Sequence, residues 1–330
     1  MAGITFGEFL SDQRMSLPLV VTIQTCSGAT YIVTGADKGL GFEAAKHLVE
    51  VSSKIRNTQA GNAAMADIEA ATHTKNVVEV WELDLSSYAS VKAFANKAIT
   101  ELDRIDALIE NAGIAGSDWI LSEGHEACIT VNVISTVLLA VLLLPKMSAV
   151  AKRFSFIPHI SVVTSGAGFF TADSPEWRKV ESDPFEKLKD EKLADMSKRY
   201  PLSKIIQVFA IRQLAILADY NRTGVVVNLV GPGFCKTELS VNSPFVLRMS
   251  IKLGNMLIGR TAEMGSRTLL HGAIAGKESH GRYLGNCEVR EDSVPAWMTN
   301  ADGRGSQKRV WEDLAKEMDS IEPDCVSKIS

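Results

Sequence analysis

The chain has 330 residues, of which 46% are hydrophobic and 22% are charged, and its formal net charge is −4. This composition is typical of a globular protein with a large core, and the absence of a basic field argues against nucleic acid as a partner. The five scattered cysteines contain no C-x-x-C pair, which argues against a disulfide framework or a metal site and fits a reducing compartment.

The N-terminus lacks the charged start and the apolar run of a signal peptide. The most apolar stretch, residues 133–144, has 12 residues, whereas a bilayer span needs about 20. We therefore interpret this stretch as a buried helix and expect a cytoplasmic protein without a membrane span.

Strand and helix patterns alternate along most of the chain. The predicted strands cover residues 30–34, 53–56, 77–83, 105–109, 159–164 and 225–230, and the predicted helices cover residues 42–51, 87–102, 125–147 and 200–220. Such alternation indicates an α/β fold with a doubly wound parallel sheet and helices on both faces. We expect an N-terminal extension over residues 1–27 and a single domain over residues 28–330.

Two insertions interrupt the alternation, near residues 172–199 and 233–264. The first is charged and is expected to cover a surface, whereas the second is rich in Phe, Leu and Met. Each follows a strand end, where open α/β sheets bind ligands. Five large apolar residues are candidates for the wall of a substrate crevice, although core positions would explain them equally: Phe169, Phe170, Trp177, Phe245 and Met249.

A glycine loop, "TGADKGLGFEAA", lies between the first strand and the first helix of the alternation. Gly35, Gly39 and Gly41 allow a tight turn and let the backbone approach a pyrophosphate, while the helix N-terminus presents free N–H groups to the anion. Lys38 and Leu40 lie within the same loop. The pattern predicts a dinucleotide phosphate site.

Three further motifs follow strand ends, and each is ambiguous alone. The Asp84 carboxylate could accept a hydrogen bond from an adenine amino group, or it could belong to the N-cap region of the next helix. Asn111 precedes Ala112 and Gly113 in what could be an ordinary turn. Ser165 in "VVTSGAG" lacks the first glycine of a hydrolase elbow, so we expect it to act as a hydroxyl donor rather than as a nucleophile.

Tyr200 and Lys204 are four residues apart and therefore lie on one face of a predicted helix. An ammonium near a phenol favours its ionised form. In isolation the spacing is weak, and two surface residues explain this pair better.

In this order, the motifs resemble those of the short-chain dehydrogenase/reductase family, most closely fungal members with extended chains that serve secondary-metabolite pathways. The resemblance covers about residues 28–240 and implies a Rossmann fold. The matching positions are Thr34, Gly35, Gly39, Gly41, Asp84, Asn111, Ala112, Gly113, Asn132, Ser165, Tyr200, Lys204, Pro232, Gly233 and Thr237.

The resemblance implies a role for each catalytic position. Tyr200 would be the general acid/base, with Lys204 favouring its phenolate and binding the nicotinamide ribose. Ser165 would polarise the substrate oxygen, and Asn132 would bind a water that links Lys204 to solvent. The cofactor-binding positions would be Gly35, Lys38, Gly39, Leu40, Gly41, Arg56, Asp84, Asn111, Tyr200, Lys204 and Thr237.

The second strand departs from the family pattern, because only residues 53–56 are available and no glycine precedes them. Several residues appear to be missing, which puts the adenosine end of the site in doubt. The expected strand end carries no acid for the 2′-hydroxyl of NAD, whereas Arg56 could meet a 2′-phosphate with help from Lys38. This pattern favours NADPH, although Arg56 could also be a solvated surface residue.

These features predict an NADP-dependent enzyme that interconverts a ketone or aldehyde and an alcohol on a bulky or apolar small molecule. Because the second strand is short, an alternative stays open: the chain could have a related fold that binds the cofactor with little or no turnover. Glu110, in place of the usual asparagine before Asn-Ala-Gly, is expected to have little consequence. The apolar helices at 125–147 and 200–220 could pair in a homo-oligomer or simply form the core.

Overall fold

The computed structural model describes residues 5–51, 54–58, 62–154, 156–171, 175–237, 254 and 258–329, with the backbone alone at 6, 54–58, 62, 170–171 and 175. The predicted crevice residues Phe245 and Met249, and the side chain of Phe170, lie outside this description.

The core of the molecule is a sheet in the order β10-β9-β8-β7-β4-β1-β2-β3. Its strands are β1 Thr30–Val33, β2 Lys54–Thr58, β3 Val78–Trp81, β4 Ala107–Glu110, β7 His159–Val163, β8 Val226–Gly231, β9 Tyr283–Gly285 and β10 Glu288–Val289. All neighbours are parallel except β9 and β10. Every residue of β1, β4, β7 and β8 is buried, as expected for parallel strands covered on both faces. A separate antiparallel pair is formed by β5 Leu121–Ser122 and β6 His125–Glu126.

The second strand is formed despite its short sequence. It runs over Lys54–Thr58, rather than the predicted 53–56, and pairs with β1 on one side and β3 on the other. Arg56 lies opposite Ile32 and Glu79, in the middle of the strand. The prediction that Arg56 marks the strand end was therefore wrong by two residues, because backbone pairing with both neighbours extends the strand to Thr58.

Helices cover both faces of the sheet. They are α1 Phe6–Gln13, α2 Ile23–Cys26, α3 Gly39–Val51, α4 Asn62–Thr72, α5 Tyr88–Glu101, α6 Ala127–Ile129, α7 Thr136–Phe154, α8 Pro175–Val180, α9 Pro184–Lys187, α10 Met196–Leu217, α11 Tyr220–Thr223, α12 Ala262–Gly272, α13 Ala296–Thr299 and α14 Ala301–Ile321. One core cluster lies between the sheet and α5, α7 and α10, and a second lies beneath α3 and α12. This arrangement is the doubly wound α/β fold that the alternation predicted.

The long helix predicted over residues 125–147 is interrupted. Its first two residues belong to β6, a π-helical turn covers Thr130–Ser135, and α7 then continues to Phe154. By length and composition, Ala127–Phe154 could cross a membrane, but 94% of its apolar window is buried inside the protein. Its burial supports the interpretation as a core helix.

The charged segment 172–199 is more than the surface cover that was expected. Among its described residues, Trp177, Phe185 and Leu188 are buried, and the Trp177 ring packs on Phe209 of α10 with centroids 5.4 Å apart. The apolar residues spaced between the charges anchor α8 and α9 to the core. Trp177 is thus a core residue rather than a wall of the crevice.

Candidate active site

Helix α10 presents one polar face to the carboxyl edge of the sheet. Tyr200, Ser203, Lys204 and Gln207 follow the i, i+3, i+4, i+7 spacing of residues on one face. The Ser203 hydroxyl donates to the Tyr200 carbonyl at 2.8 Å, and the Lys204 Nζ lies 6.0 Å from the centroid of the Tyr200 ring. Tyr200 and Lys204, which are four residues apart in the sequence, therefore lie close together in the structure.

Lys204 is buried and held by acceptors on two elements. Its Nζ donates to the Val163 carbonyl at the end of β7, at 2.9 Å, and to Gln207 Oε1 at 3.1 Å. Burial lowers the pKa of Lys204 to about 8. An ammonium with three donors can thus keep its position and still offer one N–H to another group.

Ser165 follows β7 and lies beside Tyr200. A hydrogen bond with Ser165 lowers the pKa of the Tyr200 phenol, but burial outweighs it, so the pKa is raised from its ordinary value. The same Ser165 Oγ accepts from the Ala167 N–H at 3.2 Å. Without an added positive charge, the Tyr200 phenol is a proton donor at neutral pH.

Asn132 lies in the π-helical turn, and its side chain ties three segments together. Its Oδ1 accepts from the Ile114 N–H at 2.9 Å, and its Nδ2 donates to the Ile114 carbonyl at 2.9 Å and to Ser203 Oγ at 3.0 Å. Its own carbonyl accepts from Gln207 Nε2 at 2.7 Å. Single π-helical turns are often found at functional sites, and here the turn directs a buried amide towards α10.

The glycine loop packs against the end of β4. Asn111 Nδ2 donates to the carbonyls of Thr34 and Gly35, at 3.0 Å each. A Cβ on Gly41 would lie 2.4 Å from the Gly35 carbonyl oxygen, so glycine is required there. The loop is therefore held tightly at the point where α3 begins.

The entrance to α3 is open in comparison. Gly39 has a φ of +60° and is the first residue of α3, and among the described residues a Cβ built on it would meet only Thr237 within 4 Å, at 3.7 Å. The free N–H groups of a helix start thus face a space that glycine keeps clear. These features fit a pyrophosphate, and they bring Thr237 next to the loop.

The remaining predicted cofactor positions have separate surroundings. Leu40 packs against α12, since a Cβ on Gly265 would meet its Cδ2 at 2.7 Å. Lys38 is exposed in the loop. Asp84 Oδ1 accepts from the N–H of Ser86 at 2.8 Å and from its hydroxyl at 2.6 Å, as the helix-start alternative implied. The side chain of Arg56 lies outside the described part of the chain, and both the adenine contact of Asp84 and the role of Arg56 stay predictions.

Glu110 lies in a buried position, and the expectation that it has little consequence stays a prediction. Its side chain is buried, and neither carboxyl oxygen has a hydrogen-bond partner among the described residues. Burial raises its pKa well above the ordinary value, while the nearby Lys204 acts in the opposite direction. A buried carboxyl group near Lys204 is thus a feature of this site.

A cavity of about 230 Å³ opens beside Ser165. Phe169 and Tyr283 contribute to its lining and form an edge-to-face pair with centroids 5.0 Å apart. Helix α1 reaches the same cavity with Phe9, Asp12 and Gln13. The predicted crevice residue Phe169 is therefore at the cavity, in contrast to Trp177.

Several residues of the site had not been predicted. Ser203 and Gln207 could have been found from their spacing to Tyr200 on one helix face. Gln13, Arg260 and Tyr283 give no such signal, because each meets the site only through contacts between distant parts of the chain.

Residues 29–173 match the family model described as short chain dehydrogenase. The chain is 38% identical over 311 residues to the short chain dehydrogenase/reductase dmxR8 of Cryptosporiopsis sp. (strain 8999), covering 91% of this chain and 94% of the relative. It is 35% identical over 331 residues to the short-chain dehydrogenase anuD of Penicillium roqueforti, covering 98% of this chain and 85% of the relative.

Solved structures share the fold at lower identity. An NADPH-bound carbonyl reductase from chicken fatty liver matches with a TM-score of 0.60 and 20% identity, over 86% of this chain and all of that one. A metagenomic short-chain oxidoreductase in complex with NADP matches with a TM-score of 0.55 and 21% identity, over 79% of this chain and 96% of that one.

Proposed function

The chain belongs to the short-chain dehydrogenase/reductase family of oxidoreductases, and from this premise we propose that it uses NADP(H) to interconvert a ketone or aldehyde and an alcohol on a bulky or apolar small molecule. The observation that carries the proposal is the convergence of Tyr200, Ser165 and Lys204 at the end of β7, with Ser165 lining the adjoining cavity. The fungal relatives lead us to propose a step of secondary metabolism.

The glycine loop and its neighbours fit a dinucleotide. The N-terminus of α3 would face the pyrophosphate, and Thr237 and Lys204 would lie towards the nicotinamide end. When bound, the cofactor supplies the hydride. We assign the 2′-phosphate to Arg56 and Lys38, and the NADP(H)-bound state of two structural neighbours agrees with this choice.

The protein residues would handle the proton and the substrate oxygen. The Ser165 hydroxyl would orient the carbonyl oxygen, and the Tyr200 phenol would donate its proton to that oxygen during reduction and accept it during oxidation. The Lys204 ammonium, fixed by Val163 and Gln207, would stabilise the phenolate that remains. Asn132 would hold α10 in register with Ile114, and we assign to it the water that returns the proton.

A comparison of NADPH and NADH as hydride donors, with a panel of aryl and alkyl ketones, tests the proposal. We expect kcat/KM to be higher with NADPH. Arg56→Ala should raise the KM for NADPH by about 10- to 100-fold, the usual effect of losing a charged hydrogen bond, and leave that for NADH nearly unchanged. Equal use of NADH by the unmodified protein would refute the cofactor choice, and cofactor binding without turnover of any ketone would refute the enzymatic one.

A further inference from the structure

Helix α1, within the N-terminal extension, contributes directly to the cavity beside Ser165. Phe9, Asp12 and Gln13 lie at i, i+3 and i+4 and therefore share one face of the helix, and all three line the cavity. A capping box fixes the start of α1, in which Thr5 and Glu8 exchange hydrogen bonds. The helix is thus a formed element and presents its face to the cavity.

Gln13 connects α1 to the turn that follows β8. Its Nε2 donates to the Phe234 carbonyl at 2.8 Å and to the Ile258 carbonyl at 3.2 Å, and its Oε1 accepts from the Phe234 N–H at 3.1 Å. A Cβ on Gly233 would lie 2.5 Å from the Gln13 Oε1. This close fit leaves α1 little freedom to move away from the turn.

Arg260 makes a second connection at the same place. Its guanidinium donates to the Pro232 carbonyl at 3.2 Å, to Asn286 Oδ1 at 2.7 Å and to the Asp12 carbonyl. Arg260 is buried. A buried guanidinium that bonds three segments is costly to remove, so α1 is held against both the β8 turn and the β9–β10 turn.

The charges at this end of the cavity do not favour an anion. Arg290 Nη1 lies 3.2 Å from Asp12 Oδ2, and the same guanidinium has Glu288 and Asp292 carboxylates at 3.5 Å. Among the described residues, these three carboxylates outnumber the guanidinium groups of Arg290 and Arg260, which leaves no net positive charge for a carboxylate or phosphate ligand. They suit a neutral hydroxyl group, which can donate to the Asp12 carboxylate.

The remaining surface selects for a flat apolar body. Phe9, Phe169, Phe234 and Tyr283 line the cavity, and its volume of about 230 Å³ exceeds the roughly 150 Å³ that holds benzene. Arg290 pairs with Tyr283, which is level with Leu229 and Val162. It therefore lies three strand spacings and three residues away from Ser165, or about 17 Å between backbones. With side chains projecting inwards, this space accepts about two fused rings.

We propose that α1 is a wall of the substrate pocket, which takes a neutral bicyclic aromatic ketone whose carbonyl meets Ser165 and whose distal hydroxyl donates to Asp12. This inference rests on the proposed ketone reductase function and adds its substrate class. Phe9 and Asp12 are then specificity residues, and Gln13 and Arg260 are positioning residues.

The test uses 1-tetralone and 6-hydroxy-1-tetralone as probes, with saturating NADPH and the full-length protein. We expect kcat/KM to be at least about tenfold higher for the hydroxylated ketone, the usual gain from one hydrogen bond to a charged group. Asp12→Asn should reduce this preference to about threefold, because a neutral amide accepts a weaker bond. Phe9→Ala should raise KM for both ketones with little change in kcat.

Ser11→Ala is the matched control, because Ser11 is exposed on α1 and does not line the cavity. Equal kcat/KM for the two tetralones, or a Phe9→Ala variant that behaves like Ser11→Ala, would overturn the inference. So would rapid reduction of 2-decanone with no reduction of either tetralone, an outcome that leaves the proposed function standing.

If no ketone is reduced, measuring the binding of the tetralones tests the pocket assignment separately from the reductase function. Calorimetric titration of the NADP⁺-loaded protein with each tetralone measures the pocket without turnover. Tighter binding of the hydroxylated probe, lost in Asp12→Asn, would support the pocket even if the reductase function fails. Absence of binding of both probes would overturn the pocket assignment.

Discussion

Two regions at the carboxyl edge of the sheet differ in how they are held together. The catalytic edge, formed by Asn132, Ser165, Tyr200 and Lys204, is tied by hydrogen bonds between elements of the sheet and α10. The pocket wall, formed by α1, the β8 turn at 232–234, Arg260 and the β9–β10 region, joins residues more than 200 positions apart. We assign the reaction to the first region and the choice of substrate to the second.

Under these assignments, short local motifs specify the type of reaction, whereas contacts between distant parts of the chain specify the choice of substrate. Motifs of a few residues place the acid/base group, since each motif follows a strand end and the parallel sheet aligns those ends. The wall depends on individual side chains such as Gln13, whose partners are defined only when the chain has folded.

The largest effect is expected at the catalytic edge. Tyr200→Phe removes the phenolic proton and leaves the ring, so it should lower kcat by about 10²- to 10⁴-fold. Cofactor affinity, measured by titration, should stay close to that of the unmodified protein. A variant with near-normal turnover would remove Tyr200 from the mechanism and end the distinction between the two regions.

An intermediate effect is expected where the sheet meets the pocket wall. A Cβ on Gly231, the last residue of β8, would lie 1.9 Å from the Tyr283 hydroxyl oxygen. Gly231→Ala should therefore lower the free energy of unfolding by about 1–3 kcal/mol, as overpacking does, and displace Tyr283 from the cavity lining. Urea denaturation measures the loss.

Gly116→Ala is the control for this substitution, because no atom of the described residues lies within 4 Å of a Cβ built there. If Gly231→Ala were as stable as this control, the contact between β8 and β9 would be looser than described, and the pocket wall would not depend on it.

The smallest effect, and the most dependent on pH, is expected at Glu110. Its pKa is raised by burial, so the protonated form is the one that the fold favours. Its contribution to stability is fully present below the pKa of an unfolded glutamate and is lost as the pH rises through the higher folded value. Each unit of pKa difference corresponds to about 1.4 kcal/mol.

Glu110→Gln keeps the shape and cannot ionise. Relative to the parent, it should have similar stability at pH 4.5 and higher stability at pH 8, because only the parent loses stability as a buried carboxyl group ionises. Urea unfolding at the two pH values measures this, with exposed Glu82→Gln as the control. A variant that is less stable at pH 8 would show that Glu110 is ionised and paired with Lys204.

Most of the fold could be predicted from the sequence, because buried parallel strands are short apolar runs with clear ends. The exceptions have physical causes. The π-helical turn at Asn132 could not be predicted, because the apolar sequence around it has the pattern of one continuous helix. Lys54–Thr58 has a weak strand pattern, and its pairing with β1 and β3 is a tertiary effect. Trp177 and Phe185 are buried, but the charged residues around them in the sequence predict an exposed segment.

The motif residues of the candidate site could also be predicted from the sequence, whereas the residues that surround them could not. Tyr200, Lys204, Ser165 and Asn132 were identified from motifs and converge in the structure. Gln207 was missed although its spacing marked it, and Glu110 was judged unimportant because its burial cannot be seen in a sequence. The cytoplasmic location and a homo-oligomer stay predictions.

The sequence by itself determined the class of chemistry, because strand-end motifs in a fixed order specify a phosphate loop and an acid/base pair whatever the rest of the chain does. Only the tertiary structure decided that Glu110 is a buried acid with no hydrogen-bond partner in the described part of the chain, and that α1 lines the cavity beside Ser165. Burial and contacts between residues 200 or more apart depend on how elements pack, and no local pattern records that packing.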